Sequence, residues 1–356
     1  MNRLRRVLKK AGVVLTALAV VWLGLYQFFG LRMVLSGGGR PTFRFVESSE
    51  ALAARIEAHR AAQRDSRAGA EPSNAAAAAS DVNPEPAPGA PPVVEDVVEG
   101  TAGSVVDRLP ASPDIAVAAG PDFGTSAAPT TDTSAPWSDF RGARRDGVYR
   151  EGRIRTDWPA AGLAPMWQQP AGGGYASFVV AGGRAFTIEQ RAAREVVAAY
   201  DVITGRELWT NTWETDFRES MGGDGPRATP TWAAGRVYAL GATGELRSLD
   251  EATGRVLWRT NILSDAGASN LQWGMAAAPL VVDNAVVVLP GGAAGQSVLA
   301  YDRATGKKLW TALPDQAAYA SPMLVTLGGV RQILVFSAQR LVGLSVDGGT
   351  VLWEHA

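Results

Sequence analysis

Two hydrophobic patterns divide the 356-residue chain. Residues 11–31 run for 21 positions without a formal charge, and Gln27 is their one strongly polar member. At about 1.5 Å per residue, a helix of that length reaches roughly 30 Å, the thickness of a bilayer core. Beyond Trp137 the pattern changes to short apolar runs of strand length, parted by glycine-bearing turns. Four such runs make one unit. In the clearest unit, strand A starts at Ala228, strand B at Arg236, strand C covers 245–250 and strand D covers 255–260. No useful helical periodicity interrupts this region, so the pattern predicts an all-β domain of four-stranded antiparallel sheets.

The unit recurs. Its C–D hairpins read Ala199-Tyr-Asp-Val-Ile-Thr-Gly205-Arg-Glu-Leu-Trp209, Ser248-Leu-Asp-Glu-Ala-Thr-Gly254-Arg-Val-Leu-Trp258 and Ala300-Tyr-Asp-Arg-Ala-Thr-Gly306-Lys-Lys-Leu-Trp310. A looser copy runs from Gly343 through Gly349 to Trp353. The four tryptophans stand 49, 52 and 43 residues apart, and Trp167 precedes the first by 42. Periods of this size indicate a propeller, solenoid or similar array, and four short strands per period describe a propeller blade. The repeated tryptophans Trp167, Trp209, Trp258, Trp310 and Trp353 read as structural residues that dock blade on blade. Burying one removes about 150–250 Å² from water, a gross gain of about 4–6 kcal/mol.

The hairpin signature resembles the tryptophan-docking repeat of the pyrroloquinoline-quinone (PQQ)-like β-propellers. That family includes quinoprotein dehydrogenases and the outer-membrane protein assembly lipoprotein. Trp137-Ser-Asp-Phe-Arg-Gly, Gly223-Asp-Gly-Pro-Arg227 and Gln272-Trp-Gly strengthen the resemblance, which covers residues 137–356. It implies a ring of about seven or eight blades. Four complete copies are present, so the expectation is a truncated member whose natural frame continues. It also implies PQQ with calcium as a candidate cofactor. Neither the vicinal disulfide found in many such enzymes nor a clustered Asp/Asn calcium loop is legible in this sequence, which has no cysteine. No catalytic or metal-ligating set is assigned.

The rest of the chain reads as delivery. Residues 1–10 carry five basic side chains and are expected to stay cytoplasmic. Residues 11–31 are expected to be an uncleaved single-pass anchor in a bacterial inner membrane, with the propeller in the periplasm. Residues 32–70 form a juxtamembrane segment with a short helix from Ser49 through Arg64, whose apolar face is limited to Leu52 and Ile56; it reads as a solvated spacer. Residues 71–136 hold 11 prolines, ten acidic residues, one basic residue and one aromatic residue, and read as a disordered linker.

Charge and composition narrow the chemistry. The 34 Lys+Arg and 35 Asp+Glu leave no basic excess, which argues against nucleic acid as a partner. With no cysteine and two histidines, thiolate sites, clustered-His zinc sites and a Ser-His-Asp triad are excluded. Long D-to-A connections at 210–226 and 261–275 are where ligand contacts would be added. They nominate Trp213, Asp216, Arg218, Asp224, Arg227, Gln272 and Trp273 as ligand-binding residues at the propeller mouth. The expected function is a non-catalytic binding or scaffold module in the bacterial envelope, with a protein partner there. The alternatives are a PQQ-dependent oxidoreductase acting on an alcohol or sugar, and an outer-membrane protein assembly factor.

Overall fold

A computed structural model describes residues 16–25, 31–35, 41–45, 47–68, 137–150 and 152–356. Of the expected anchor, residues 16–25 form helix α1, and 11–15 and 26–30 lie outside the described residues. No described helix is long and apolar enough to cross a membrane. At its far end the expected anchor gives way to a strand: β1 (Leu31–Leu35) pairs antiparallel with β2 (Pro41–Phe45). Helix α2 (Ser49–Ala68) follows. Its cap is Ser48, whose hydroxyl accepts the Ala51 amide at 3.1 Å. The expected linker, 71–136, lies outside the described residues.

Four consecutive meanders form four four-stranded antiparallel sheets. Blade 1 is β3 (Val179–Ala181), β4 (Arg184–Arg191), β5 (Arg194–Asp201) and β6 (Glu207–Glu214). Blade 2 is β7 (Thr231–Ala233), β8 (Arg236–Leu240), β9 (Glu245–Asp250) and β10 (Val256–Asn261), followed by helix α3 (Ile262–Ala266). Blade 3 is β11 (Leu280–Val282), β12 (Ala285–Val288), β13 (Val298–Asp302) and β14 (Lys308–Ala312). Blade 4 is β15 (Met323–Leu327), β16 (Val330–Phe336), β17 (Leu341–Ser345) and β18 (Val351–His355).

The innermost strands start three residues later than the sequence pattern suggests. In blades 2 to 4 the residue before the strand is Pro230, Pro279 or Pro322, which has no amide to give a ladder; in blade 1 Phe178 holds that place and the offset is the same.

Blades join through apolar faces: Phe186, Ile188 and Val197 of blade 1 meet Val237, Ala239 and Leu249 of blade 2, and the next two seams repeat the arrangement. In each C–D hairpin of blades 1 to 3, the leading aspartate folds the turn. Asp201 accepts the Thr204 amide at 2.8 Å, Asp250 that of Thr253 at 2.9 Å, and Asp302 that of Thr305 at 2.8 Å. The turn glycine has positive φ and presents a bare surface to the preceding tryptophan. Thus Gly205 faces Trp167, Gly254 faces Trp209, Gly306 faces Trp258 and Gly349 faces Trp310. The indoles of Trp167, Trp209 and Trp258 donate to the carbonyls of Val202, Glu251 and Arg303, each at 2.9 Å. Trp167 makes this contact without belonging to a strand. Trp353 instead donates to the Gln332 side chain within its own blade.

The first blade has a different neighbour. Its second face carries Ala185, Ala198 and Tyr200, with Glu189 and Glu207 in the same rows. Helix α2 lies on this face, leaving Ile56 1% exposed and Arg60 8% exposed. Arg60 pairs with Glu207 at 2.7 Å, and Arg191 pairs with the same carboxylate at 2.8 Å. The helix is therefore a packed element, not the solvated spacer suggested by its two apolar residues.

The segment before the repeats is packed too. The Trp137 carbonyl accepts the Val180 amide and the Ser138 carbonyl that of Trp232, so it covers the inner edges of blades 1 and 2. Arg145 reaches further. Its guanidinium donates to Ala278 and Pro322 carbonyls at 3.2 and 2.7 Å and to the Pro279 carbonyl, and pairs with Asp139 at 2.7 Å. Thr231 joins the cluster through Asp139 at 3.0 Å. One buried side chain thus ties the inner ends of blades 2, 3 and 4.

Candidate functional site

The D-to-A connections converge at one end of the blades. There Tyr175, Arg227 and Tyr319 occupy the same repeat position, immediately before the alanine that opens each inner strand segment. Neighbouring segments are laced together: the Tyr175 amide donates to the Pro226 carbonyl at 2.8 Å, and the Ala278 amide to the Ser321 hydroxyl at 2.9 Å. Arg227 stands between Tyr175 and Phe217, with its guanidinium carbon 5.4 and 4.8 Å from their ring centres. It donates to the Gly223 carbonyl at 2.7 Å and to the Gly225 carbonyl. These carbonyls, rather than the Asp224 carboxylate, are its partners. Burial holds its pKa below the ordinary value.

Trp273 packs on Tyr319 with ring centres 5.5 Å apart, and Gly222 lies between Trp273 and Arg227. Trp273 and Tyr319 are each 39% exposed, Tyr175 is 63% exposed and Met221 72%. The mouth is therefore an aromatic rim set around one stacked arginine.

The other nominated residues do different things. Asp216 accepts from Arg218 at 2.9 Å and from Gln190 at 3.1 Å. Arg218 also faces helix α2, lying 3.5 Å from the Ser49 hydroxyl and 3.8 Å from Glu50. The Asp224 side chain accepts the Glu219 amide at 3.4 Å, which braces its own loop. Gln272 is exposed. The second long connection is partly structural: Asn261 caps α3, and Ile262, Leu263 and Ala266 are buried beneath it.

Trp213 packs in the seam between blades 1 and 2, with Arg247 over its ring at 4.3 Å. Opposite it in the ladder is Glu195, a residue the sequence reading passed over. One carboxyl oxygen accepts the Ala242 amide at 2.7 Å; the other and the Trp213 indole nitrogen are buried opposite each other, with no hydrogen bond of ordinary geometry to either. Desolvation pushes the Glu195 pKa up to about 7, opposed first by the hydrogen bond from the Ala242 amide and then by the facing Trp213 indole, with smaller effects of Glu245 upward and Arg247 downward. The unfolded chain, with an ordinary value of 4.5, ionises first. Stability is then full below about pH 4.5 and declines by on the order of 3 kcal/mol as pH rises to about 7. Urea midpoints at pH 5 and pH 8 should show this decline, and Glu195→Gln should flatten it. An equally steep decline in the variant would assign the effect elsewhere.

A calcium–quinone pair needs acidic and amide oxygens free to face the mouth. Asp216 is taken up by Arg218 and by Gln190 of β4, Asp224 accepts the Glu219 amide, and Glu219 accepts the Met221 amide at 2.9 Å. Among the described residues no three acidic or histidine side chains converge into a metal cage. As arranged, these residues do not fit the pair.

Residues 193–356 match the family model described as outer membrane protein assembly factor BamB, a PQQ-type repeat model. This segment belongs to the PQQ-like β-propeller repeat family. No curated protein matches the chain. Among solved structures, the PQQ-like blades are similar to quinohemoprotein alcohol dehydrogenase from Comamonas testosteroni at 20% identity and a TM-score of 0.40, covering 52% of this chain and 35% of that one. They are also similar to BamB from Moraxella catarrhalis at 17% identity and a TM-score of 0.30, covering 52% and 63%. The chain thus spans about a third of the length of the dehydrogenase and less than two thirds of that BamB. Likeness at this level speaks to neither activity nor partner.

Proposed function

We propose that this PQQ-like propeller is a non-catalytic binding module of the bacterial envelope, and that its mouth is the contact surface. The observation that carries the reading is the exposed rim of Tyr175, Met221, Trp273 and Tyr319 around Arg227. Large aromatic side chains and arginine are the groups most enriched where binding energy concentrates at protein interfaces. The carboxylates nearby are taken up by neighbouring groups of the chain, which leaves the rim as the chemistry offered outward. The apolar run at 11–31 and the Pro-rich segment at 71–136 support delivery on a tether, with the blades in the periplasm.

The test pairs two variants with one titration. Trp273→Ala and Tyr319→Ala remove partly exposed rings and should leave the unfolding midpoint nearly unchanged, while weakening capture of an envelope protein at least tenfold. A partner retained equally by both variants would contradict the reading. Titration of the full chain with PQQ and calcium, read by tryptophan fluorescence, addresses the oxidoreductase alternative. Saturable, calcium-dependent quenching with dye reduction by an alcohol or sugar would replace the binding-module reading.

A further inference from the structure

A second site lies away from the mouth, where α2 meets the outermost strand of blade 1. A half-open cavity of about 280 Å³ separates them. Arg60, Gln63 and Arg64 line it from one helix face, and residues 206–210, which include the Glu207 carboxylate as well as Arg206, line it from the blade. Arg60 is nine-tenths buried, and its guanidinium is aimed by Glu207 at 2.7 Å and Glu189 at 4.0 Å. Arg191 completes that group by pairing with both carboxylates, so the two arginines and two glutamates balance. Arg64 pairs with Glu57 at 2.7 Å. Arg206 has no carboxylate within 4 Å among the described residues, which leaves one guanidinium of excess charge at the rim. The Trp209 ring belongs to the seam with blade 2, where its indole nitrogen is bonded to the Glu251 carbonyl and its ring lies against Gly254; Trp209 and Leu208 line the cavity as residues of the edge strand.

We propose that this cavity binds a phosphate group carrying a short organic substituent, with Arg206 and Arg64 forking the phosphate and Arg60 fixing its depth. Guanidinium pairs recognise phosphate oxygens through parallel donors, and a site whose deepest arginine is already oriented spends little on ordering it. The volume lies just under the range of ordinary small-molecule sites, which suits a glycerol phosphate or a phospholipid headgroup. Because the cavity has one wall on the helix and one on the blade, the ligand would clasp α2 to blade 1. This site is independent of the mouth and of any partner there.

The full chain in neutral detergent would be titrated with glycerol phosphate at low ionic strength by calorimetry. Amide exchange of α2 would be followed in parallel. Saturable binding is expected, with slower exchange across α2, and Arg206→Gln should weaken binding at least tenfold and abolish the protection. Arg206 is exposed, so this variant should fold as the parent does; Arg64→Gln gives a second reading on the helix side. A membrane arm compares phosphatidylcholine vesicles with and without phosphatidic acid. Arg206-dependent protection of α2 with the acidic vesicles but not with glycerol phosphate assigns the site to a lipid headgroup, and protection by glycerol phosphate assigns it to a soluble ester. No saturation with either probe, or identical isotherms for the parent and Arg206→Gln, would overturn the proposal.

Discussion

Replacing Asp139 by alanine is expected to lower stability by about 3–5 kcal/mol, the usual cost of removing one partner from a buried ion pair. The guanidinium of Arg145 would remain among the carbonyls of Ala278, Pro279 and Pro322, buried and without its counter-charge. Burial raises the Asp139 pKa although Arg145 pulls against it, so the pair is held by geometry in a costly environment. Asp139→Asn keeps an acceptor for Thr231 and the Phe140 amide and should cost less. Chemical denaturation of the two variants beside the parent checks the ordering. Equal midpoints for Asp139→Ala and the parent would show that blades 2, 3 and 4 do not depend on this tie.

The second large effect is expected at the docking turns. A Cβ on Gly254 would lie 2.4 Å from the Trp209 ring, and the residue has a φ of +69°. Gly254→Ala combines left-handed backbone strain of about 1–2 kcal/mol with overpacking of about 1–3 kcal/mol. A total loss of about 2–5 kcal/mol follows. The indole should be pushed off the Glu251 carbonyl, so tryptophan emission should shift along with the midpoint. Alanine at Gly183 has φ +72° but open space around its Cβ, and should carry the backbone part alone. If the two substitutions cost the same, the tryptophan contact contributes nothing measurable to the seam.

The blades were legible because their pattern is local. Alternation of apolar positions, an aspartate that folds each hairpin and a glycine at positive φ are all written within eleven consecutive residues. The inner strands begin three residues beyond the repeated alanine in all four blades, blade 1 included, where Phe178 stands in place of the proline, so proline alone does not set the offset. Helix α2 was read as a spacer because Leu52 and Ile56 are too few to demand burial; what seats it is Arg60, whose partners Glu189 and Glu207 are more than a hundred residues away in sequence. Arg145 was missed for the same reason. In sequence it belongs to a basic run after Asp139, and nothing local says that three blades converge on it.

The mouth was half legible. Arg227 and Trp273 were nominated from loop length, and both belong to the rim. Tyr175 and Tyr319 were overlooked, although aligning the residue before each repeated alanine places them with Arg227. Asp216 and Arg218 come from the same loop yet face Gln190 and helix α2, a direction that depends on where the helix packs.

The central claim is that the rim of the mouth is the surface this propeller uses. A photo-crosslinking residue in place of Tyr319 in the full chain, in the cells that make it, tests that claim most directly. One discrete protein adduct is predicted, lost on Trp273→Ala and absent when the probe stands at Ala252, on an exposed turn at the opposite end of the blades. The same adducts from both positions, or none from Tyr319, would contradict the account.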